Sequence, residues 1–129
     1  MALSPADRVE LHELFARYAY CIDTCDWPGL ANIFTVDAEF TVDVSNVHMR
    51  GVDEIIHFMA EVANHPVAHH ITNIFVDATA DGAVSHGRLM GVGKKGRVST
   101  GHYRDEVVRT ADGWRVRRRS FALTNPRPE

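Results

Sequence analysis

The second half of the chain constrains the fold most, because four strand-like segments follow one another with only short turns between them. The four segments are residues 67–79, 83–92, 97–109 and 114–123. Turn-forming residues, each set including glycine, separate them at positions 80–82, 93–96 and 111–113. Long strands joined by such short turns pair antiparallel, because a parallel pair needs a long crossover connection. The sequence therefore predicts an antiparallel meander.

The first half begins with helical periodicity. Ser4 is placed as an N-cap and Pro5 as the first helical residue. Apolar residues then recur at three- and four-residue intervals as far as Ile22, which is typical of one buried helix face. Asp26 is a good cap for a second, short helix over residues 27–34.

Between these helices and the meander, residues 37–49 alternate as strands, with a turn at Ser45-Asn46, and residues 51–64 return to helical periodicity. Helices first and strands last is the α+β pattern. A strongly curved antiparallel or mixed sheet of this kind, with the three N-terminal helices across one face, would form a cone with an open end.

Composition narrows the classes of function. The 129 residues are enough for one domain, predicted over residues 1–129 with 125–129 as a loose tail. A net charge of −3 predicts no nucleic-acid partner, and no apolar run is long enough for a membrane span. No secretory leader, metal-ligand spacing, phosphate loop or nucleophile elbow is visible, so we expect a cytoplasmic protein without metal or cofactor.

Proton-transfer groups stand at the end of the first helix and at the start of the meander. Tyr18 shares the apolar helix face, so its ring should point inward, and Asp23 follows five residues later without a capping role. His69 and His70 open a strand and point to opposite faces, so only one can enter the cavity. A hydrogen bond between the aspartate and a histidine would orient the imidazole and raise its pKa.

Further polar candidates lie on the last two strands. Tyr103 and Asp105 share one strand face, and the aspartate could pair with Arg88 or Arg109. A basic run ends the last strand at residues 115–119, and alternation alone does not decide whether Arg118 or Arg119 faces the cavity. We expect the remaining lining from large apolar side chains: Phe15, Trp27, Phe58 and Met59.

Several short motifs, in their order and spacing, resemble one family across nearly the whole chain. They are Arg17-Tyr18, Asp23, Asp26-Trp27, Phe34-Thr35, His69, Asn73, Tyr103, Asp105, Asp112-Gly113-Trp114 and Arg119. Together they resemble the SnoaL-like branch of the nuclear-transport-factor-2-like (NTF2-like, cystatin-like) superfamily. This resemblance implies a curved sheet wrapped by helices around a deep apolar cavity. Members include polyketide cyclases, scytalone and bile-acid dehydratases, ketosteroid isomerases and many non-enzymes.

The resemblance also implies residue roles. In the dehydratases, residues matching Asp23, His69 and Tyr18 work together, and a histidine followed four residues later by asparagine selects His69 with Asn73. An arginine in the region of Arg118 and Arg119 contacts an acyl group in the bile-acid dehydratases.

In the ketosteroid isomerases, a protonated acid at the position of Asp105 helps a tyrosine at the position of Tyr18 to hold an enolate. The isomerase base would fall at Val42, which cannot take a proton.

These features predict a cofactor-independent lyase or isomerase, specifically a dehydratase or cyclase. Its substrate would be a small hydrophobic ring compound that carries a carbonyl. Tyr18, Asp23 and His69 are the predicted catalytic residues; His70, Asn73, Tyr103, Asp105, Arg118 and Arg119 are predicted ligand contacts. The alternatives are a non-catalytic binding or accessory protein and a ketosteroid-isomerase-like enzyme. The resemblance further implies a homodimer or higher homo-oligomer.

Overall fold

One curved six-stranded sheet and the helices that cross it make up the fold. The computed structural model describes residues 2–124, so the tail predicted for residues 125–129 lies outside the described part. The helices are α1 (Pro5–Asp23), a 3₁₀ turn (Pro28–Asn32), α2 (Val52–His57) and a π-helical turn (Phe58–Val62). The strands are β1 (Phe34–Val42), β2 (Val47–Arg50), β3 (Ala68–Ala78), β4 (Ala83–Val92), β5 (Val98–Thr110) and β6 (Gly113–Leu123).

The sheet confirms the predicted meander and the α+β class. Its strand order is β2-β1-β6-β5-β4-β3, and β3 to β6 pair antiparallel in sequence. The hairpin β1–β2 joins through a parallel pairing of β1 with β6, so the sheet is mixed. Since β2 and β3 are the two edges, β3 keeps one side of its backbone free for α1.

Both ends of α1 are fixed by local hydrogen bonds. At its start, Ser4 and Asp7 form a capping box, because the Ser4 Oγ accepts from the Asp7 N–H at 3.0 Å and the Asp7 carboxylate accepts from the Ser4 N–H at 2.9 Å. Asp7 also accepts from the Trp114 indole N–H at 3.1 Å and pairs with Arg109. These hydrogen bonds, led by that from Ser4, lower the pKa of Asp7 to about 2.

At the other end, Cys25 takes a left-handed conformation with φ of +58°. Its N–H donates to the Ile22 carbonyl at 3.2 Å, and the Asp26 N–H donates to the Cys21 carbonyl at 2.8 Å, which is a Schellman motif. This motif ends α1 at Asp23. The helix expected over residues 27–34 shortens to the 3₁₀ turn of Pro28–Asn32, since Phe34 already belongs to β1.

Two bulges interrupt the alternation of side chains along the sheet. The register of β3 against β4 shifts between Thr72 and Phe75, where Asn73 has φ of +53°. On β6, Val116 pairs with Val107 and Arg118 with Glu106, so Arg117 is the extra residue. Beyond each bulge, the residues that face the cone interior are one position later than strict alternation predicts.

Gly101 on β5 allows a close approach of Phe121 from β6. A Cβ at position 101 would lie 2.3 Å from two Phe121 ring atoms and 2.9 Å from the Ala122 carbonyl oxygen. The Phe121 ring in turn packs on Tyr103, with centroids 4.7 Å apart. A larger residue at 101 must therefore displace an interior ring.

We expect Gly101→Ala to lower the free energy of unfolding by about 1–3 kcal/mol, the usual range for overpacking an interior. Urea denaturation measures the difference. Gly93→Ala is the matched control, because the nearest atom to its added Cβ, the Arg97 carbonyl oxygen, lies at 3.3 Å. Equal losses in the two variants would contradict the contact with Phe121.

Candidate active site

A cavity of about 320 Å³ lies inside the cone. Its wall is mainly apolar, and the polar rings that reach it come from α1, the segment before β3, β3 itself and β5. The lining residues include Tyr18, Phe40, Val42, Phe58, Met59, His65, His69, Leu89, Tyr103 and Phe121. A wider hollow of about 540 Å³ lies on the outer side of α1, but the predicted proton-transfer groups do not line it.

The Asp23 carboxylate holds the His69 imidazole at this cavity. It accepts from the His69 backbone N–H at 2.9 Å and lies 2.6 Å from the ring Nδ1. Because a carboxylate accepts, Nδ1 carries the proton, and Nε2 of the neutral ring is left with a free lone pair. The side chains of His69 and Asp23 are 6% and 25% exposed. His69 lines the cavity, whereas Asp23 stands behind it.

Local structure explains why these two residues meet. Asp23 is the last residue of α1, which the left-handed Cys25 terminates. His69 is the second residue of β3, an edge strand, so its N–H is free to bond the helix end instead of a neighbouring strand. The helix C-terminus is also the negative end of its dipole, and the two His69 N–H groups stabilise a carboxylate placed there.

Burial lowers the pKa of His69, and the hydrogen bond and charge of Asp23 oppose this effect without reversing it. The expectation of a raised pKa is therefore wrong, because desolvation of the imidazolium outweighs its attraction to the carboxylate. At neutral pH the ring is neutral and its Nε2 can accept a proton.

His65 is a second histidine in the wall, and sequence reasoning missed it. Its Nε2 donates to the Met59 carbonyl at 2.8 Å, and its ring centroid lies 5.9 Å from that of His69. Trp27 stacks on the outer side of His65, with centroids 5.7 Å apart, so the tryptophan supports the wall without lining it. The signal that could have found His65 is its position directly before Pro66, where helix gives way to strand.

Two predicted contacts on β3 lie outside the cavity. His70 is exposed on the opposite face of the strand. Asn73 was expected to share the face of His69, but the bulge turns it outward, where its side chain accepts from the Thr72 hydroxyl at 3.0 Å. The open choice between the two histidines is thus resolved in favour of His69, and neither His70 nor Asn73 lines the wall.

Arg119 and Asp105 form a buried ion pair beneath the cavity. Arg119 Nε and Nη2 donate to the two Asp105 oxygens at 2.8 and 2.7 Å, and the residues are 0% and 1% exposed. The sequence predicted Arg88 or Arg109 as the partner of Asp105. This prediction is wrong, because the partner is Arg119. The Arg117 bulge turns Arg119 inward.

Arg118 instead lies on the outer face and is more than half exposed. Its guanidinium pairs with Glu39 at 3.1 Å and with Glu106 at 3.5 Å. It therefore makes no contact with the cavity.

Two tyrosines separate this ion pair from the cavity. The Arg119 guanidinium carbon lies 4.2 Å from the Tyr18 ring centroid and 4.6 Å from that of Tyr103. Burial raises the pKa of Tyr18 and raises that of Tyr103 further, while the charge of Arg119 opposes both shifts. Both hydroxyls are protonated at neutral pH and are hydrogen-bond donors.

The apolar residues that were predicted to line the cavity differ in how far they lie from it. Phe58 and Met59 line the cavity. Phe15 lies deeper, where its ring centroid is 5.2 Å from the Arg119 guanidinium carbon. The arrangement that the ketosteroid isomerases imply does not occur, because both Asp105 oxygens accept from Arg119 and Val42 occupies the wall where their base would stand.

Comparison with known proteins places the chain in a family. The model of the SnoaL-like domain matches residues 4–120, so the chain belongs to the SnoaL-like family. A comparison with curated protein sequences gives no match. Among residues 2–124, no helix has the length and apolar composition needed to cross a membrane.

Solved structures agree with the fold. A Nostoc punctiforme protein of unknown function with a cystatin-like fold is 21% identical, with a TM-score of 0.85, over 99% of this chain and 98% of that one. A Novosphingobium aromaticivorans protein provisionally named an aromatic ring hydroxylase is 32% identical, with a TM-score of 0.80, over 97% and 94%. An NTF2-like protein from the same organism is 26% identical, with a TM-score of 0.74, over 95% and 84%.

The electrostatics of His69 generate a titration prediction. We expect NMR to find its imidazole pKa below the ordinary 6.5, with the neutral ring protonated at Nδ1. Asp23→Asn should lower this pKa further, because it removes the opposing charge. His70→Ala removes the resonance of the neighbouring imidazole and so distinguishes it from that of His69.

The lowered pKa of His69 also determines how the stability of the fold changes with pH. The unfolded chain binds a proton at His69 more readily than the folded chain, so this residue's contribution to stability falls as the pH drops below 6.5. A His69 pKa at or above 6.5 in the folded protein would contradict the dominance of burial.

Proposed function

We propose that the protein is a cofactor-independent acid–base enzyme of the lyase or isomerase type, a dehydratase or cyclase. The observation that carries the proposal is the Asp23–His69 pair, in which the carboxylate holds Nδ1 of a neutral imidazole that lines a largely apolar cavity. The SnoaL-like and NTF2-like folds include isomerases and dehydratases, but the same fold also hosts other functions. The site chemistry therefore has to support the assignment.

The first step is proton abstraction from the carbon next to a substrate carbonyl. His69 Nε2 takes this proton, and Asp23 fixes the tautomer and stabilises the imidazolium that forms. The electron pair moves onto the carbonyl oxygen as an enolate. A hydroxyl of Tyr18 or Tyr103 donates a hydrogen bond to that oxygen, where preorganised donors contribute most to lowering the barrier.

The second step distinguishes the reaction classes. In a dehydratase, the enolate electrons reform the carbonyl, the bond between the β-carbon and its hydroxyl breaks, and the His69 imidazolium returns its proton to the hydroxyl. The products are one water and an unsaturated carbonyl compound, and the base is regenerated. In an isomerase acting on an unsaturated carbonyl compound, the His69 imidazolium gives the proton to a different carbon of the dienolate, the double bond shifts and the carbonyl reforms. In a cyclase, the enolate carbon bonds to a second carbonyl carbon of the same substrate, and the alkoxide that results takes the proton from the His69 imidazolium.

The cavity supports a small and mostly apolar substrate. Its volume of about 320 Å³ lies near the lower end of the range for ligand pockets. Phe40, Phe58 and Phe121 offer aromatic faces, and Met59 adapts to irregular shapes. A compact ring compound with one carbonyl fits this combination of size and surface.

A ligand-binding or accessory protein is the second candidate. The provisional name of the 32% identical relative, an aromatic ring hydroxylase, favours an aromatic ligand without implying that this chain performs that reaction. The same cavity would then hold a ligand that His69 does not deprotonate. A homodimer and a cytoplasmic location stay predictions from the sequence.

Deuterium exchange tests the first step without knowledge of the natural substrate. Fused-ring ketones such as α-tetralone and indanone, selected by thermal shift, are incubated with the protein in heavy water. We expect NMR to show enzyme-dependent loss of the hydrogens next to the carbonyl. Asp23→Asn and His69→Ala should slow this exchange at least about tenfold, equivalent to ~1.4 kcal/mol in the barrier.

His70→Ala and Asp37→Asn are the matched controls, since both residues are exposed and lie outside the cavity. Both should keep wild-type exchange. Exchange that survives unchanged in the Asp23 and His69 variants would contradict the mechanism. A ketone that binds without any exchange would favour the binding protein.

A further inference from the structure

The ion pair of Arg119 and Asp105 has no part in the mechanism above, although it is the most buried charged group among the described residues. Taking two charges out of water costs several kcal/mol per ion, and an apolar pair of similar volume is often equally stable or more stable. Stability alone is therefore a weak reason for this pair. Five aromatic rings surround the guanidinium, from Phe15, Tyr18, Phe34, Phe40 and Tyr103.

The positive end of the pair lies against the two tyrosine rings, with the Arg119 guanidinium carbon 4.2 Å from the Tyr18 centroid and 4.6 Å from that of Tyr103. At both Tyr18 and Tyr103, the lowering effect of Arg119 on the pKa exceeds the raising effect of Asp105. Arg119 Nη1 is buried and has no hydrogen-bond partner among residues 2–124, while Nε and Nη2 are used by Asp105. The Nη1 donors of the guanidinium are therefore not used by Asp105.

We propose that the Arg119–Asp105 pair is a positioning unit that polarises the Tyr18 and Tyr103 hydroxyls, so that this side of the cavity prefers the ionised oxygen of a phenol or enol to the neutral hydroxyl. A cation behind a donor strengthens its hydrogen bond, and the low dielectric of the interior increases the effect. The tyrosines exclude Arg119 from contact with the ligand. The positive charge of Arg119 therefore acts on the ligand only through the tyrosine hydroxyls. This inference goes beyond the proposed reaction, because it concerns binding and needs no proton abstraction.

Binding of para-nitrophenol tests the inference, because its ionised and neutral forms differ in colour. Absorbance titration across pH gives the acidity of the bound phenol and hence the ratio of affinities for the two forms. We expect the wild-type protein to favour the ionised form at least about tenfold more than Arg119→Met/Asp105→Leu does, a shift of one pH unit in the bound phenol. Affinity for the neutral form should stay within about threefold.

The double variant removes both charges together, so no unpaired charge remains buried. Arg118→Met is the matched control, since that arginine lies on the outer face and should leave the ratio unchanged. Where the double variant does not fold, Tyr18→Phe and Tyr103→Phe keep the ion pair and remove the donors, and at least one should lose the preference about tenfold. Arg119→Lys, which keeps the charge, should retain part of it.

Two results would overturn the inference: wild-type protein that does not bind para-nitrophenol, or an unchanged affinity ratio in the folded double variant. An unchanged ratio with an equal loss of affinity for both forms would show that the pair only shapes the cavity. Asp23→Asn separates this inference from the proposed reaction, because it should slow deuterium exchange at least about tenfold while leaving the preference for the ionised phenol intact.

Discussion

The bond between the Asp23 carboxylate and His69 is the contact on which the rest of the site depends. It joins the C-terminus of the longest helix to an edge strand of the sheet, next to the cavity. One carboxylate engages both the backbone N–H and the ring Nδ1 of the same residue, at 2.9 and 2.6 Å. Backbone position and ring tautomer are therefore fixed together, which leaves Nε2 as the unprotonated nitrogen of the neutral ring.

The sequence predicts the elements of this fold well, because periodicity and turn residues are local signals. The meander, the capped first helix and the face of Tyr18 follow from such signals, and the resemblance to a known family selects His69. Residues beyond a bulge are predicted less well. One extra residue near Asn73 and another at Arg117 reverse the side-chain faces that follow, so alternation misplaces Asn73 and leaves Arg118 and Arg119 undecided. Nothing local marks where these insertions occur.

The predicted rise in the pKa of His69 fails for a different physical reason. A pairing of aspartate with histidine is visible in the sequence pattern, but the degree of burial around the imidazole is a property of the whole cavity. The same holds for Tyr18 and Tyr103, where burial raises the pKa against the nearby guanidinium. Burial thus keeps all three groups neutral, and an apolar ligand meets uncharged atoms at this part of the wall.

Charges stand one layer behind those neutral groups. Asp23 lies behind His69, and Arg119 lies behind the two tyrosines. In the proposed proton abstraction, positive charge would develop on the imidazole and negative charge on the enolate oxygen. Each developing charge then has a fixed opposite charge behind it, and no side chain has to reorient. For the proposed reaction, this arrangement would keep the cavity attractive to an apolar substrate and would stabilise separated charge only as the reaction creates it.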